Sequence, residues 1–408
     1  MKPLGPIPPG YESVDGVLAV GGKPVTHWVE EGGATPMFIY SSELIGARMG
    51  ELRAAMPERL AINYAVKANS FGPILELFSN LVDGFDIASG GELEMVSRAG
   101  IDPARVSFAG PGKRDPELEA AIAAGVTLNL ESEGEADRAL RIAERLGLMP
   151  KLAIRVNPDF DLKGSGMKMG GGAKPFGVDA ERVPELAKRL IASGAEWRGF
   201  HIFAGSQALD ADAIIETQAQ TLRLAARLAE ESAAPLPHCN LGGGFGIPYF
   251  PGDTPVDIRR IGLALSEVFE DLPQALVKTD FCIELGRYLV GEAGVYIARI
   301  VDRKVSHGET FLVTDGGLHH QLAASGNFGT VVRRNYPAAI ATRFDMHAEE
   351  EASIVGCLCT PLNKLAEKGA FPHAEPGDLV AIFCAGAYGA SASPAAFLGQ
   401  GPAGEILV

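Results

Sequence analysis

Lys67 ends the apolar run Ala61–Val66 and is followed by Ala-Asn-Ser, a turn-like stretch that opens the next helix. At the C-terminal mouth of a buried strand, desolvation disfavours the ammonium and leaves an amine able to form a Schiff base with an aldehyde or ketone. A surface lysine snorkelling from a strand end is the plain alternative. Leu241-Gly-Gly-Gly-Phe-Gly246 follows another apolar run. Successive glycines let the backbone approach a ligand and aim N–H groups at a phosphate, or simply make a turn. Glu284 and Arg287 follow a third run, the carboxylate suited to a pyridinium nitrogen and the guanidinium to a phosphate or carboxylate, with an ordinary ion pair as the alternative. Tyr388 stands among small residues in Ala385-Gly-Ala-Tyr-Gly389, either beside a ligand or in a packed turn.

Groups spread this widely need a scaffold that gathers strand ends. Short apolar runs alternate with longer amphipathic ones, which predicts strands near 61–66, 83–88, 105–109, 126–130, 151–156, 198–203, 237–241 and 279–284. Helices are predicted at Asp115–Ala124, Ser132–Leu146, Val183–Ser193 and Ala211–Glu231, with Asp115 before Pro116, and Ser132 with Glu135, as caps. Eight such strands imply an α/β fold, a closed (β/α)8 TIM-like barrel whose chemistry sits at the C-terminal strand ends. Lys67, Asp86, Asn157, Ser206, Gly242 to Gly244 and Glu284 all fall there. A doubly wound open sheet would not place active groups after so many strands. The barrel is expected over 36–284, starting at Met37–Ile39. Residues 285–408 turn to short β-rich runs and are expected to form an all-β domain with residues 1–35, where Val17–Val20 and Pro24–Trp28 read as short strands. No repeat of fixed period and no low-complexity linker appears.

At 408 residues the chain suits two domains. A formal charge of −15 argues against nucleic acid or an anionic membrane as partner, while leaving room for a local basic pocket. No apolar stretch approaches the roughly 18 residues of a membrane span, and the first ten residues lack the core of a signal peptide, so a cytoplasmic location is expected. The five cysteines lack a CxxC pair, and neither a disulfide framework nor zinc is expected. Cys357 and Cys359 have no second ligand pair. His319 and His320 would point apart on a strand, so no metal is expected.

Eight ordered motifs now converge: Tyr64-Ala-Val-Lys-Ala-Asn69, Phe85-Asp-Ile-Ala-Ser-Gly-Gly-Glu-Leu-Glu94, Arg155-Val-Asn-Pro158, Gly205-Ser-Gln207, Gly242-Gly-Gly244, Glu284-Leu-Gly-Arg287, Gly356-Cys-Leu-Cys359 and Gly386-Ala-Tyr388. Together they resemble the pyridoxal-phosphate decarboxylases of ornithine, diaminopimelate and related substrates, which share a barrel with the alanine racemases. The resemblance covers nearly the whole chain. It implies that Lys67 holds pyridoxal 5'-phosphate as a Schiff base and that Glu284 keeps the pyridine nitrogen protonated, making the ring an electron sink. It implies phosphate binding by Ser206, the amides of Gly242, Gly243 and Gly244, Arg287 and Tyr388, with Asp86 and Glu92 shaping the ring pocket. Cys359 would reach in from the second subunit of a homodimer and protonate the carbon that has lost its carboxylate.

Departures from the pattern bear on the substrate. The histidine that stacks on the ring in relatives is replaced by Phe203, an aromatic side chain that can still stack, with His201 two residues earlier. Relatives acting on diamino substrates carry acids where this chain has Thr360 and Asn363, so the groups that would hold a distal ammonium are missing. Glu-Pro-Gly-Arg becomes Glu-Leu-Gly-Arg at Leu285. The stretch Leu318 to Gly329, with Arg333, Arg334 and Tyr336, is similar to a narrower subgroup associated with exosortase-type loci or acting on aminoacyl groups tethered to a carrier protein. Arg333 or Arg334 would then meet an acidic substrate tail or phosphopantetheine, a solvated arginine pair being the alternative. Three other readings stand beside this one: a diaminopimelate decarboxylase, an amino-acid racemase on the same barrel, which would need a second base, and a non-catalytic cofactor-binding regulator, which should have lost Lys67.

Overall fold

The structure, a computed structural model, describes residues 1–164, 166–326 and 333–408. Asn327, Phe328 and Gly329 of the subgroup-like stretch lie outside the described residues. The chain divides into two compact units, one of residues 49–246 and 255–286 and the other of 1–48, 247–254 and 287–408.

The first unit is a closed barrel of eight parallel strands: Leu60–Ala65, Gly84–Ile87, Val106–Phe108, Thr127–Leu130, Lys151–Asn157, Glu196–Ile202, His238–Gly243 and Asp280–Leu285. Each pairs in parallel with the next, and the last returns to the first through Ile283 opposite Ile62. The eight predicted runs coincide with these strands. Strands covered by helices outside and filled inside must be apolar on both faces, which is why they read as short continuous runs. Between strands, amphipathic helices such as Glu133–Leu146 and Val183–Ala192 bury one face, Ala136, Ala139, Ile142 and Ala143 on the former. Ser132 caps its helix by accepting the Glu135 N–H at 3.1 Å. The Asp115 cap shifts by one: Asp115 is the first helical residue, and Glu117 reaches back to the Arg114 N–H at 2.9 Å.

The second unit is β-rich. Its long strand Gly294–Ser306 pairs antiparallel with Glu309–Thr314, Leu379–Ile382 and Met37–Tyr40. Met37–Tyr40, where the barrel was expected to begin, thus belongs to this sheet, and it also pairs in parallel with Gly404–Leu407. Its four residues are all buried, as an internal strand requires. Pro24–Trp28 is likewise not a strand. Val25–Gly32 is a helix, because Val25, Trp28 and Val29 fall at helical spacing and pack on Leu18, Met37 and Val295, while the Trp28 indole donates to the Val20 carbonyl at 2.9 Å. His307 and Gly308, at φ 51° and 80°, form the two-residue turn of the main hairpin, a left-handed pair matched to strand twist.

Candidate active site

Lys67 follows the first barrel strand in a single 3₁₀ turn, Val66–Ala68, whose flanking Val66 and Ala68 are buried. The turn is pinned by Tyr64, which donates its hydroxyl to the Asn69 carbonyl at 2.7 Å and stacks on Phe78. Gly286 allows the eighth strand to end against it, since a Cβ there would lie 2.7 Å from that of Ala68. Lys67 itself is exposed, against the desolvation expected from its position. Its Nζ lies 5.4 Å from the centre of the Phe203 ring, and its charge acts on Asp86, Glu92 and Glu284.

The buried lysine of this barrel is another one. Lys113, in the loop after the third strand, pairs with Glu135 at 2.6 Å and donates to the carbonyls of Gly110 and Asn129 at 2.8 and 2.9 Å. Burial pulls its ammonium down and Glu135 pulls it back. All three of its donors are engaged, so it is a structural cation and no nucleophile. Beside it Arg155 meets Glu131 at 2.9 Å, and Glu131 also accepts the Gly177 N–H at 3.1 Å. Asn157 is structural too, tying Gly172 and Asp179 to the fifth strand.

Glu284 and Asp86 are both buried, 6% and 8% exposed, and their environments pull them apart. Burial raises Glu284, but the His201 ring, its hydrogen bond, Lys67 and Arg155 outweigh that and hold the carboxyl at about 2. His201 Nε2 stands 3.1 Å from Glu284 Oε2, and Asn240 Nδ2 donates to the same oxygen at 3.3 Å. Asp86 lies well above the usual carboxylate range, through burial first and then the charge of Glu284, which hydrogen bonds from Asn63 and Ser107 and the charge of Lys67 only partly offset. The two carboxyls are thus pulled in opposite directions, Glu284 toward the ionised form and Asp86 toward the neutral one. Neither His201 nor Asn240 was assigned a role from sequence; the signal available was two polar residues inside otherwise apolar runs.

The glycine run is required by close approach. A Cβ on Gly243 would sit 1.9 Å from the Glu284 carbonyl, and one on Gly244, at φ 78°, would sit 2.0 Å from that of Gly205. The Gly242 N–H donates to Asn240 Oδ1 at 2.8 Å, which corrects the expectation that it points at a phosphate. Ser206 lies beside the run in a short ladder with Met167. Glu92 binds the Ala88 N–H at 2.6 Å and so holds the turn before its own helix, while burial raises its carboxyl.

In the β-rich unit, Arg287 donates to the Tyr249 hydroxyl at 2.7 Å and lies over the Tyr249 and Tyr388 rings at 5.5 and 4.7 Å. Tyr336 packs on Tyr249 at 4.7 Å. The two neighbouring arginines differ. Arg333 is committed to the Ser325 and Lys364 carbonyls at 2.9 and 2.6 Å, whereas Arg334 is exposed and lies 3.7 Å over the Phe250 ring. Cys359 and Cys357 are exposed on the turn that ends at Asn363. Thr360 is half-buried. Asn363 is 3% exposed and accepts the Leu318 N–H at 2.8 Å, so it holds that turn together and faces no solvent. His319 and His320 do not point apart: residues 318–320 form a turn, and the rings lie 3.8 Å from each other. Among the described residues no group of three metal-binding side chains is present, and no helix is long and apolar enough to cross a membrane.

A profile of the pyridoxal-binding domain of pyridoxal-dependent decarboxylases matches residues 42–291. The chain is 35% identical over 379 residues to the L-glutamyl-[BtrI acyl-carrier protein] decarboxylase of Niallia circulans, covering 91% of this chain and 88% of that protein. It is 33% identical over 386 residues to the diaminopimelate decarboxylase of Aquifex aeolicus, covering 93% and 88%. The crystal structure of the Helicobacter pylori diaminopimelate decarboxylase with L-lysine superposes with a TM-score of 0.82 at 27% identity, over 94% of both chains.

Proposed function

The chain belongs to the pyridoxal-dependent decarboxylases, and from that premise we propose that it removes the α-carboxylate of an amino acid whose remote end is acidic or joined to an acyl-carrier protein. The barrel mouth fits pyridoxal phosphate: an exposed lysine at Lys67, an ionised buried carboxylate at Glu284 and an aromatic face at Phe203. Bound there, the cofactor supplies an electron sink for the electron pair left when carbon dioxide departs. Lys67 provides the amine for covalent attachment. Glu284, ionised down to about 2 and fixed at Oε2 by His201 and Asn240, would keep the ring nitrogen protonated. Phe203 would offer its aromatic face to the ring. Ser206, Gly243, Gly244, Arg287 and Tyr388 are assigned to the phosphate on their motif matches, with Gly242 excluded because its N–H is taken. Cys359, on an exposed turn, returns the proton to the α-carbon from the partner subunit of a homodimer.

The observation that carries the chemistry is the accessible Lys67 amine beside a carboxylate held ionised inside the barrel. The substrate class rests on Thr360, which offers no carboxylate to a distal ammonium, and on Arg334, the exposed member of the arginine pair; Asn363 is taken up in holding its own turn. An unpaired buried charge costs several kcal/mol, on the order of a hundredfold in specificity. Lysine, ornithine and meso-diaminopimelate are then poor substrates. Two measurements test the proposal. Borohydride should fix the cofactor to the wild-type chain and not to Lys67→Ala, and persistent fixation in the variant would sink the attachment. Carbon dioxide release over free and carrier-tethered amino acids tests the substrate. Efficient turnover of meso-diaminopimelate would favour the reading suggested by the 33%-identical relative and leave decarboxylation intact.

A further inference from the structure

The interior of a closed eight-stranded barrel is ordinarily filled by layers of branched apolar side chains. Here the lower half of the barrel encloses a cavity of about 160 Å³ lined by Asn63, Ser107, Asn129, Asn240, Arg198 and His238 among others. The lining residues at the floor include Asp83 and Arg198, whose side chains are 46% and 37% exposed, so the cavity reaches solvent at the end opposite Lys67. Its upper residues stand beside the carboxylate pair. Asn240 donates to Glu284 at 3.3 Å, Ser107 lies opposite Asp86 in the ladder of the second and third strands, and Asn63 and Ser107 both favour the ionised form of Asp86. Asn129 in turn donates to the Ser107 hydroxyl, which is left to donate its own proton toward Asp86.

We propose that this cavity is a water-filled proton path from the barrel floor to the Asp86–Glu284 pair, with Asn63, Ser107 and Asn240 as its positioning residues. The volume holds several waters, and a buried cavity is wet only where polar groups supply two to four partners to each, as the three asparagines and Ser107 do here. Asp86 Oδ2 is buried and has no partner among the described residues, and a cavity water supplies one. The step is a proton exchange with no redox change: a proton arrives on a cavity water, passes through the Ser107 hydroxyl or a bridging water to the Asp86 carboxyl, and returns the same way. The charged and titratable groups that face the pair are Lys67, Arg155, His201 and Cys282, while Asp83, Arg105, Arg198 and His238 stand at the floor. The pair can then adjust its protonation from below whatever occupies the mouth.

Ala153, buried on the fifth strand, also lines the cavity. Ala153→Leu fills it with apolar volume. The protonated carboxyl of Asp86 is followed by infrared spectroscopy in the apoprotein and assigned by Asp86→Asn. In the variant its titration midpoint should move up by about one pH unit, because desolvation favours the neutral acid. Its exchange after transfer to deuterium oxide should slow at least about tenfold, a barrier increase of roughly 1.4 kcal/mol, and Tm should fall as the asparagines lose their waters. A raised Tm with an unmoved midpoint and exchange rate means a dry cavity and overturns the proposal. Should Ala153→Leu not fold, Ser107→Ala removes the relay hydroxyl alone; slowed exchange supports the path, and unchanged exchange refutes it. Because every readout is taken without cofactor or substrate, the outcome is independent of the decarboxylase reading.

Discussion

His201→Ala isolates the contact on which the ionisation of Glu284 depends. The ring stands 3.1 Å from Glu284 Oε2, both groups are nearly inaccessible, and Asn240 at 3.3 Å is the remaining side-chain donor to that oxygen. Deleting one member of a buried hydrogen-bonded pair costs about 3–5 kcal/mol, and since Asn240 remains, the lower end, about 3 kcal/mol at pH 7, is expected. The sign of the pH dependence follows from the depressed carboxyl, which lies at about 2 against an ordinary 4.5. Its contribution to stability is complete above 4.5 and lost as pH falls toward 2. In the variant the two His201 contributions are gone and only Lys67 and Arg155 still oppose burial, so the Glu284 carboxyl rises, taking up a proton more readily on acidification and relieving its own penalty. The deficit relative to wild type should therefore shrink from about 3 kcal/mol at pH 7 to about 1 kcal/mol at pH 4. Urea denaturation of the apoproteins at pH 7, 5.5 and 4, followed by circular dichroism, measures it. A deficit that stays constant or widens toward acid would refute the electrostatic account and reduce His201 to a packing residue. His201→Gln, which keeps an N–H donor, should recover about half of the loss.

Inactive Lys67→Ala mixed with inactive Cys359→Ala should regain about a quarter of wild-type activity if subunits exchange randomly around a two-fold axis; no recovery after exchange verified by mass spectrometry would place each site within one chain. Arg333→Ala should lower stability by about 2–3 kcal/mol through loss of two charge-assisted bonds to carbonyls. Arg334→Ala should leave stability within about 0.5 kcal/mol while raising KM for substrates with an acidic remote end, so equal effects of the two variants in melting and kinetics would contradict the division of roles. Gly244→Ala should cost at least about 3 kcal/mol, because its Cβ would collide with the Gly205 carbonyl at 2.0 Å from a left-handed backbone. Gly112→Ala, which meets nothing within 4 Å, serves as the tolerated control in the same thermal melts.

Much of the barrel was legible because its cues are local. A strand buried on both faces announces itself as an apolar run, and Ser132 followed by Glu135 marks a helix start, so each can be read from a few neighbouring residues without knowing what packs on them. The catalytic candidates were legible for a related reason: they sit at strand ends, where one residue breaks the apolar pattern, as Lys67 does after Val66. Local cues failed where two periods competed or a boundary depended on pairing. Val25, Trp28 and Val29 fit a helix as well as a strand until Leu18 and Val295 supply a single face to bury. Met37–Tyr40 looks like a first barrel strand until Gly294–Ile297 and Gly404–Leu407 claim its two edges.

From the sequence alone came the alternation of strands and helices, the order of the motifs, and the chemical types of the side chains available. Partnership was decided only in three dimensions. His201 and Glu284 are 83 positions apart, and no spacing rule joins them; the closure of the barrel does. Lys113 is buried against Glu135 of the helix after the fourth strand while Lys67 is exposed, the reverse of what a strand-end position suggests, because burial is set by what packs on a residue and not by the strand it follows. Arg333 and Arg334 are equivalent as letters. Two backbone carbonyls, Ser325 and Lys364, make the first a structural clamp and leave the second to face whatever arrives.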